Sequence, residues 1–212
     1  MTERYAIRTI GLDYHDVVVD FARALINYFN KLPRNERNIR TLSLEDMTSF
    51  NLQAVLGFQN YDDFQTFMMK FNKAVRPNHY KFVNGAKNGI ISLKENGHGL
   101  HLVTNAPLCD YDSIKERLER TFPLMFDDYL FTSALPTSLS PGSKVQICQL
   151  AGINLIIDDK PDHIIACADS GINCLIFDRP WNKSFSSRNP LVERVGSWSE
   201  IVDHPWLRSR PK

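Results

Sequence analysis

With 212 residues, the chain is long enough for one good hydrophobic core and has room for a small insertion. Its 43% hydrophobic and 23% charged residues exclude disordered and fibrous classes. Twenty-five Lys and Arg against 24 Asp and Glu leave a net charge of +1, so no broad field favours duplex nucleic acid or an anionic membrane. A small phosphorylated molecule needs only a local positive site, which such a balance permits.

The start, Met1-Thr2-Glu3-Arg4, shows no signal-peptide core, and no apolar run approaches the roughly 18 residues that span a bilayer. Cys109, Cys148, Cys167 and Cys174 show no CxxC pair or zinc-ligand spacing and lie in or beside apolar segments. They read as small core residues, and a reducing cytoplasm is the expected location.

The first predicted strand, residues 8–12, runs straight into Asp13, and a helix signal begins a few residues later. Asp13 is thereby expected at the carboxyl end of a strand, where open α/β sheets keep their ligand sites. Residues 20–81 then show no convincing strand and are too long for one crossover. Phe21, Leu25 and Phe29 make one helical stripe, residues 44–55 a second and residues 64–75 a third. Ser43 with Asp46 reads as a helix-start pair. The stripes read as packing residues of a small helical insertion over 21–81, and the basic run 31–40 as a solvated loop. Beyond it, residues 100–103, 130–131, 154–157 and 173–177 are predicted strands. Residues 84–95, 111–121 and 144–151 are predicted helices. Strands apolar on both faces suit a parallel sheet covered on both sides, so the expected core is a doubly wound α/β domain over 1–20 and 82–212.

Three more features stand at strand ends or helix starts: Thr104-Asn105, Ser143-Lys144 and Asp158-Asp159. Each has a plain alternative. Thr104 can cap the following helix, and Lys144 can be a surface cation. The adjacent carboxylates are harder to dismiss, because like charges near a core repel unless a cation or solvent compensates them. Parallel strands ending on one edge gather Asp13, Thr104, Lys144, Asp158 and Asp159 in one crevice. Carboxylates, a hydroxyl and a lysine suit an oxygen-ligated Mg²⁺ beside a phosphoryl group, and phosphoryl transfer is chiefly positioning and charge neutralisation.

At these strings the chain resembles the haloacid dehalogenase-like phosphohydrolases, and more closely the 5'(3')-deoxyribonucleotidases. The supporting residues are Gly11-Leu12-Asp13 with 17–21, then 103–107, Ser143-Lys144 and 156–161. To these are added 175–182 and 197–201. The resemblance covers nearly the whole chain and is weakest over 31–82. It implies a Rossmann-like core with a helical cap over the nucleobase, and Asp13 as the nucleophile that forms an aspartyl-phosphate. It also implies that Thr104 and the backbone at Asn105 hold the transferred oxygens, with Lys144 neutralising their charge. Asp13, Asp158, Asp159 and the backbone carbonyl of His15 would bind Mg²⁺, and Phe21 would line the base pocket.

The departure is His15, where the family has the aspartate that protonates the leaving oxygen and then activates water. An imidazole can do that work near neutral pH, but its ring is longer than a carboxylate side chain. Asp16, one place later, is expected to point elsewhere. Three outcomes follow: a phosphatase with His15 as acid/base, a phosphate- or nucleotide-binding protein with negligible turnover, or an enzyme for another small metabolite or a polynucleotide end. The expected partner is a small phosphomonoester, with no duplex nucleic acid and no membrane; a homodimer is left open.

Overall fold

The five apolar runs all become strands of one sheet. In a computed structural model, which describes residues 8–37, 39–134 and 141–207, they are β1 (Thr9–Leu12), β2 (Gly99–Thr104), β3 (Asp128–Phe131), β4 (Leu155–Asp158) and β5 (Asn173–Phe177). A sixth, β6 (Val192–Val195), completes the order β3-β2-β1-β4-β5-β6, with every neighbouring pair parallel. β6 escapes the sequence pattern because its Glu193 and Arg194 are exposed, which suits an edge strand that must resist further pairing. The chain moves outward from β1 through β2 to β3, then returns to the other flank of β1 as β4. The switch point of this doubly wound sheet thus lies at β1 and β4.

Residues on β1 to β5 divide between two apolar layers. Leu12, Leu102, Ile157 and Leu175 belong to one, and Val103, Ile156, Cys174 and Ile176 to the other. The second layer is covered by α6 (Pro141–Leu150) and α7 (Pro161–Asp169). The first is covered by α4 (Ala86–Glu95), α5 (Tyr111–Thr121) and α8 (Trp198–Val202). The turn signal Pro141-Gly142 is the opening of α6 itself, a position proline tolerates because it lacks an amide proton.

Between β1 and α4 the described residues form helices joined by turns, with isolated bridges His15–Val19 and Val19–Phe82 but no strand. α1 (Phe21–Lys31) and α3 (Tyr61–Ala74) carry the first and third stripes, burying Leu25 and Phe29 against Phe67 and Phe71. The second stripe does not make one helix. It breaks into a single 3-10 turn at Leu44–Asp46 and the four-residue α2 (Leu52–Val55). Ser43 and Asp46 do bond, amide to carboxylate at 2.7 Å, but Ser49 accepts from the amide of Asn51 and draws the backbone out of the helix between them. All four cysteines are free thiols; Cys148, Cys167 and Cys174 are buried as expected, whereas Cys109 is exposed. None of the described helices is long and apolar enough to cross a membrane.

Candidate active site

β1 ends at Leu12, paired in register with Ile157 of β4, so Asp13 emerges beside Asp158. The amide of Asp13 donates to the carbonyl of Ile157 at 3.0 Å. Across the gap, the second residue after Gly142 on α6 is Lys144, whose Nζ lies 2.6 Å from Asp13 Oδ1 and also pairs with Asp158 Oδ2. Lys144 is 1% exposed, so the surface-cation reading is excluded. Asp158 takes two further bonds: Oδ1 accepts from the amide of Lys160 at 2.8 Å, and Oδ2 faces Nδ1 of His163 at 3.0 Å.

His163, on the first turn of α7, has no sequence signal apart from its place just beyond the carboxylate pair. Its Nε2 lies 3.4 Å from Nδ2 of Asn105, whose Oδ1 accepts from Thr132 Oγ1 at 2.7 Å. Because that acceptor is occupied, Nδ2 faces the imidazole, and the ring donates from Nδ1 to Asp158 as a neutral tautomer. Burial, the largest influence, holds His163 below its ordinary pKa despite Asp158. Asp159 is anchored separately. Its Oδ2 accepts from the indole of Trp181 at 2.6 Å, and its carbonyl accepts from Asn182 at 2.7 Å. The string 178–182 therefore acts as a cradle for Asp159.

The electrostatics follow from this packing. Burial raises Asp13 to about 7, with Lys144 opposing and Asp158 adding to the rise. Asp158 is held far below the carboxylate range because Lys144 and His163 outweigh its burial, and the two carboxylates push Lys144 up. Asp159, with no cation against it, is raised by burial and by the neighbouring aspartates. Carboxylate oxygens of Asp13, Asp158 and Asp159 all lie within 4.8 Å of one another.

These residues open into a cavity of about 210 Å³. Asp13, Asp158, Asp159 and Asn105 line one side, while Met47, Phe50 and Leu52 from the helical segment line the other. His15 and Phe21 also face it, their rings 4.9 Å apart, and the His15 ring sits 5.9 Å from Tyr80. Burial, and then Lys144, push His15 down to about 4, so it is neutral at neutral pH. Thr104 does not line the cavity. It is fully buried and its hydroxyl accepts from the amide of Ala106 at 3.0 Å, a local turn bond and not a helix cap, since the next 3-10 turn spans Leu108–Asp110.

Asp16 is the largest surprise. It lines the cavity with Asp13, where the sequence reading pointed it elsewhere. Its φ of +58° places it in the left-handed region. The turn is held by its amide on Val19 O at 2.6 Å, by Arg179 bonding its carbonyl, and by Trp198 Nε1 donating to Val17 O at 2.9 Å. Its Oδ1 accepts from the amide of Ala22 at 2.9 Å, and burial raises the carboxyl to about 7. A left-handed residue in the first loop was invisible to a strand-and-helix reading, although Asp tolerates that region better than most.

No protein-family profile and no curated protein sequence matches the chain. Solved structures do. A predicted phosphoglycolate phosphatase from Haemophilus somnus 129pt superposes with a TM-score of 0.67 at 19% identity, over 93% of this chain and 97% of that one. A haloacid dehalogenase-superfamily hydrolase of subfamily IA from Geobacter sulfurreducens PCA gives 0.61 at 18%, over 95% and 98%. A hydrolase of the same family from Deinococcus radiodurans R1, with bound phosphate and sodium, gives 0.65 at 16%, over 92% and 93%. At these identities the likeness is one of fold: the chain has the haloacid dehalogenase-like α/β fold. The nucleotidase resemblance rests on the sequence strings alone.

Proposed function

We propose that the chain is a phosphomonoester hydrolase in which Asp13 is the nucleophile and residues 21–81 form a cap over the substrate. One observation carries the reading: Asp13 stands at the switch point of the sheet, 2.6 Å from a buried lysine and facing a cavity. Lys144 neutralises the approach of an anionic phosphoryl group to a carboxylate, which is the main electrostatic obstacle to the attack. Asn105 lines the same space, and its backbone is proposed to hold a phosphoryl oxygen. The phosphate bound by the Deinococcus neighbour, a protein of the same fold, supports the assignment.

Three buried carboxylates against one lysine leave the cluster with excess negative charge, and an all-oxygen donor set fits a hard dication such as Mg²⁺. Asp13, Asp158, Asp159 and the His15 carbonyl are the residues proposed to hold it. When bound, Mg²⁺ supplies charge neutralisation for the phosphoryl oxygens.

The substrate proposed is a deoxyribonucleoside monophosphate, with Phe21 against the base. The aromatic wall of His15, Phe21, Phe50 and Trp181 favours it over a polynucleotide end, since among the described residues Lys160 is the one lysine or arginine that lines the cavity. A second reading is favoured by size. A cavity of about 210 Å³ is below the roughly 300–1,000 Å³ of most ligand sites, and suits a small phosphorylated metabolite unless the cap yields.

Phosphate release with Mg²⁺ is the test, measured over nucleoside 5'- and 3'-monophosphates, sugar phosphates and phosphorylated two- and three-carbon acids. Release from one class, lost with chelator and in Asp13→Asn, is the expected result. Inert wild type that gains turnover as His15→Asp would instead favour a binding protein. Full activity in Asp13→Asn would remove the nucleophile assignment.

A further inference from the structure

In-line displacement places the leaving oxygen on the far side of phosphorus from Asp13, toward the helical segment and the body of the substrate. Lys144, Asp158 and Asp159 all flank Asp13 on the core side. A group that protonates the leaving oxygen has to stand at the junction of core and helical segment. Two side chains of the first loop are there, His15 and Asp16.

The two are held differently. The His15 ring is flanked by aromatic rings, with centroids of Tyr14, Phe21 and Tyr80 at 5.2, 4.9 and 5.9 Å. No hydrogen bond orients either of its nitrogens among the described residues. The Asp16 carboxyl is fixed by one oxygen: Oδ1 accepts from Ala22, in the first turn of α1, while Oδ2 is left for the cavity. The left-handed backbone that turns Asp16 inward is held at its carbonyl by Arg179 and at its amide by Val19. Capping α1 accounts for Oδ1 but not for this bracing, nor for a carboxyl that opens into the cavity. Nor is Asp16 part of the acidic group suited to a cation, which comprises Asp13, Asp158 and Asp159.

We infer that Asp16, rather than His15, is the group that protonates the leaving oxygen. The inference rests on the cavity being a phosphoryl-transfer site. In the first step an oxygen of Asp13 bonds to phosphorus, the ester P–O bond breaks, and the Asp16 proton goes to the departing alkoxide. In the second, the Asp16 carboxylate takes a proton from water as that water bonds to phosphorus and the Asp13–phosphorus bond breaks, returning both carboxyls to their starting state. The His15 ring then serves as part of the substrate wall.

The test uses leaving-group dependence, because loss of a general acid harms substrates whose leaving group needs a proton and spares those whose leaving group does not. Thymidine 5'-monophosphate and ribose 5-phosphate are the demanding probes, and p-nitrophenyl phosphate is the undemanding one. Asp16→Asn retains an oxygen for Ala22 and tolerates the left-handed backbone; Asp16→Gly, which adopts it freely, guards against a folding artefact. Both variants are expected to lose about 10²–10⁴-fold on the demanding probes and less than about tenfold on p-nitrophenyl phosphate. His15→Gln is expected to change both kinds of substrate by the same factor. A selective loss in His15→Gln with a uniform one in the Asp16 variants overturns the assignment. So does a uniform loss in the Asp16 variants that tracks a fall in melting temperature. Wild type that releases phosphate from none of the three overturns the phosphatase reading itself, a result distinct from either.

Discussion

The two walls of the cavity are held by different means. On the core wall an unbroken chain of polar contacts runs from Thr132 through Asn105, His163, Asp158 and Lys144 to Asp13, and most of its members are buried. On the helical wall, residues 47–52 make no hydrogen bond to any of these carboxylates among the described residues. They meet the core through Met47, which is buried, and through Phe50, 41% exposed with its ring 6.1 Å from Trp181, and close by Glu45 pairs with Lys183 at 3.0 Å, both exposed. Exposed pairs and half-open aromatic edges contribute little to stability, whereas a buried charge network cannot lose the cation that its carboxylates share. On the proposed function, the core wall would fix the chemistry, and the choice of substrate would fall to the less tightly bonded helical wall.

The comparison is broken most directly at Asp13. Asp13→Asn should cut phosphate release by on the order of 10⁴-fold or more, as loss of a covalent nucleophile does elsewhere. It should not lower the unfolding midpoint, because it removes a buried carboxylate from beside Asp158 while Asp158 still pairs with Lys144. Destabilisation with retained activity would mean that the core wall is structural only.

Lys144→Met should be as damaging to activity and far more damaging to the fold. It keeps the length of the side chain but leaves Asp13 and Asp158 buried together without their cation. Removing one member of such a network costs about 3–5 kcal/mol, readable in a urea titration. A loss below about 1 kcal/mol would show that solvent reaches the cluster and that the core wall is less rigid than described.

Trp181→Phe sharpens the boundary between the walls, since the indole touches both. It retains the contact with Phe50 and removes only the donor to Asp159 Oδ2. Mg²⁺ affinity, measured by calorimetric titration, should weaken by roughly 10–100-fold, the usual effect of losing a group that orients a metal ligand. Unchanged affinity would release Asp159 from the proposed metal set.

How far the sequence anticipated all this depends on the kind of signal each part carried. The sheet was legible because β1, β2, β4 and β5 are continuous apolar runs, and Asp13, Lys144, Asp158 and Asp159 were legible because each follows a strand end or opens a helix. Where local polar bonds compete with an apolar stripe, as at Ser49 and Asn51, periodicity overstated the helix. Thr104 stands at a strand end like the others, but its hydroxyl accepts from the backbone of Ala106, a local bond that its position in the strand does not reveal. His163 and Asp16 were missed for a common reason. Their positions depend on a helix start after Pro161 and on a left-handed turn braced by Arg179, contacts 163 residues apart in the second case, which no local pattern encodes.

The smallest effect belongs to Phe50, and it separates the walls most cleanly. Phe50→Ala removes a ring that closes the cavity edge and lies 5.8 Å from the ammonium of Lys160. With 41% of its surface already in water, its loss should change stability by no more than about 0.5 kcal/mol. Among the described residues, the ring contacts of Phe50 are with Trp181 and Lys160, neither of them a group proposed to attack, protonate or neutralise, so kcat should hold on small phosphomonoesters. KM for nucleotides should rise by roughly three- to tenfold, an effect of about 0.6–1.4 kcal/mol that fits a single aromatic contact at an open site. Steady-state kinetics on a nucleotide and on a sugar phosphate read the two parameters apart. A fall in kcat equal on both substrates would tie Phe50, through Trp181, to the orientation of Asp159. The helical wall would then belong to the chemistry as well as to selection.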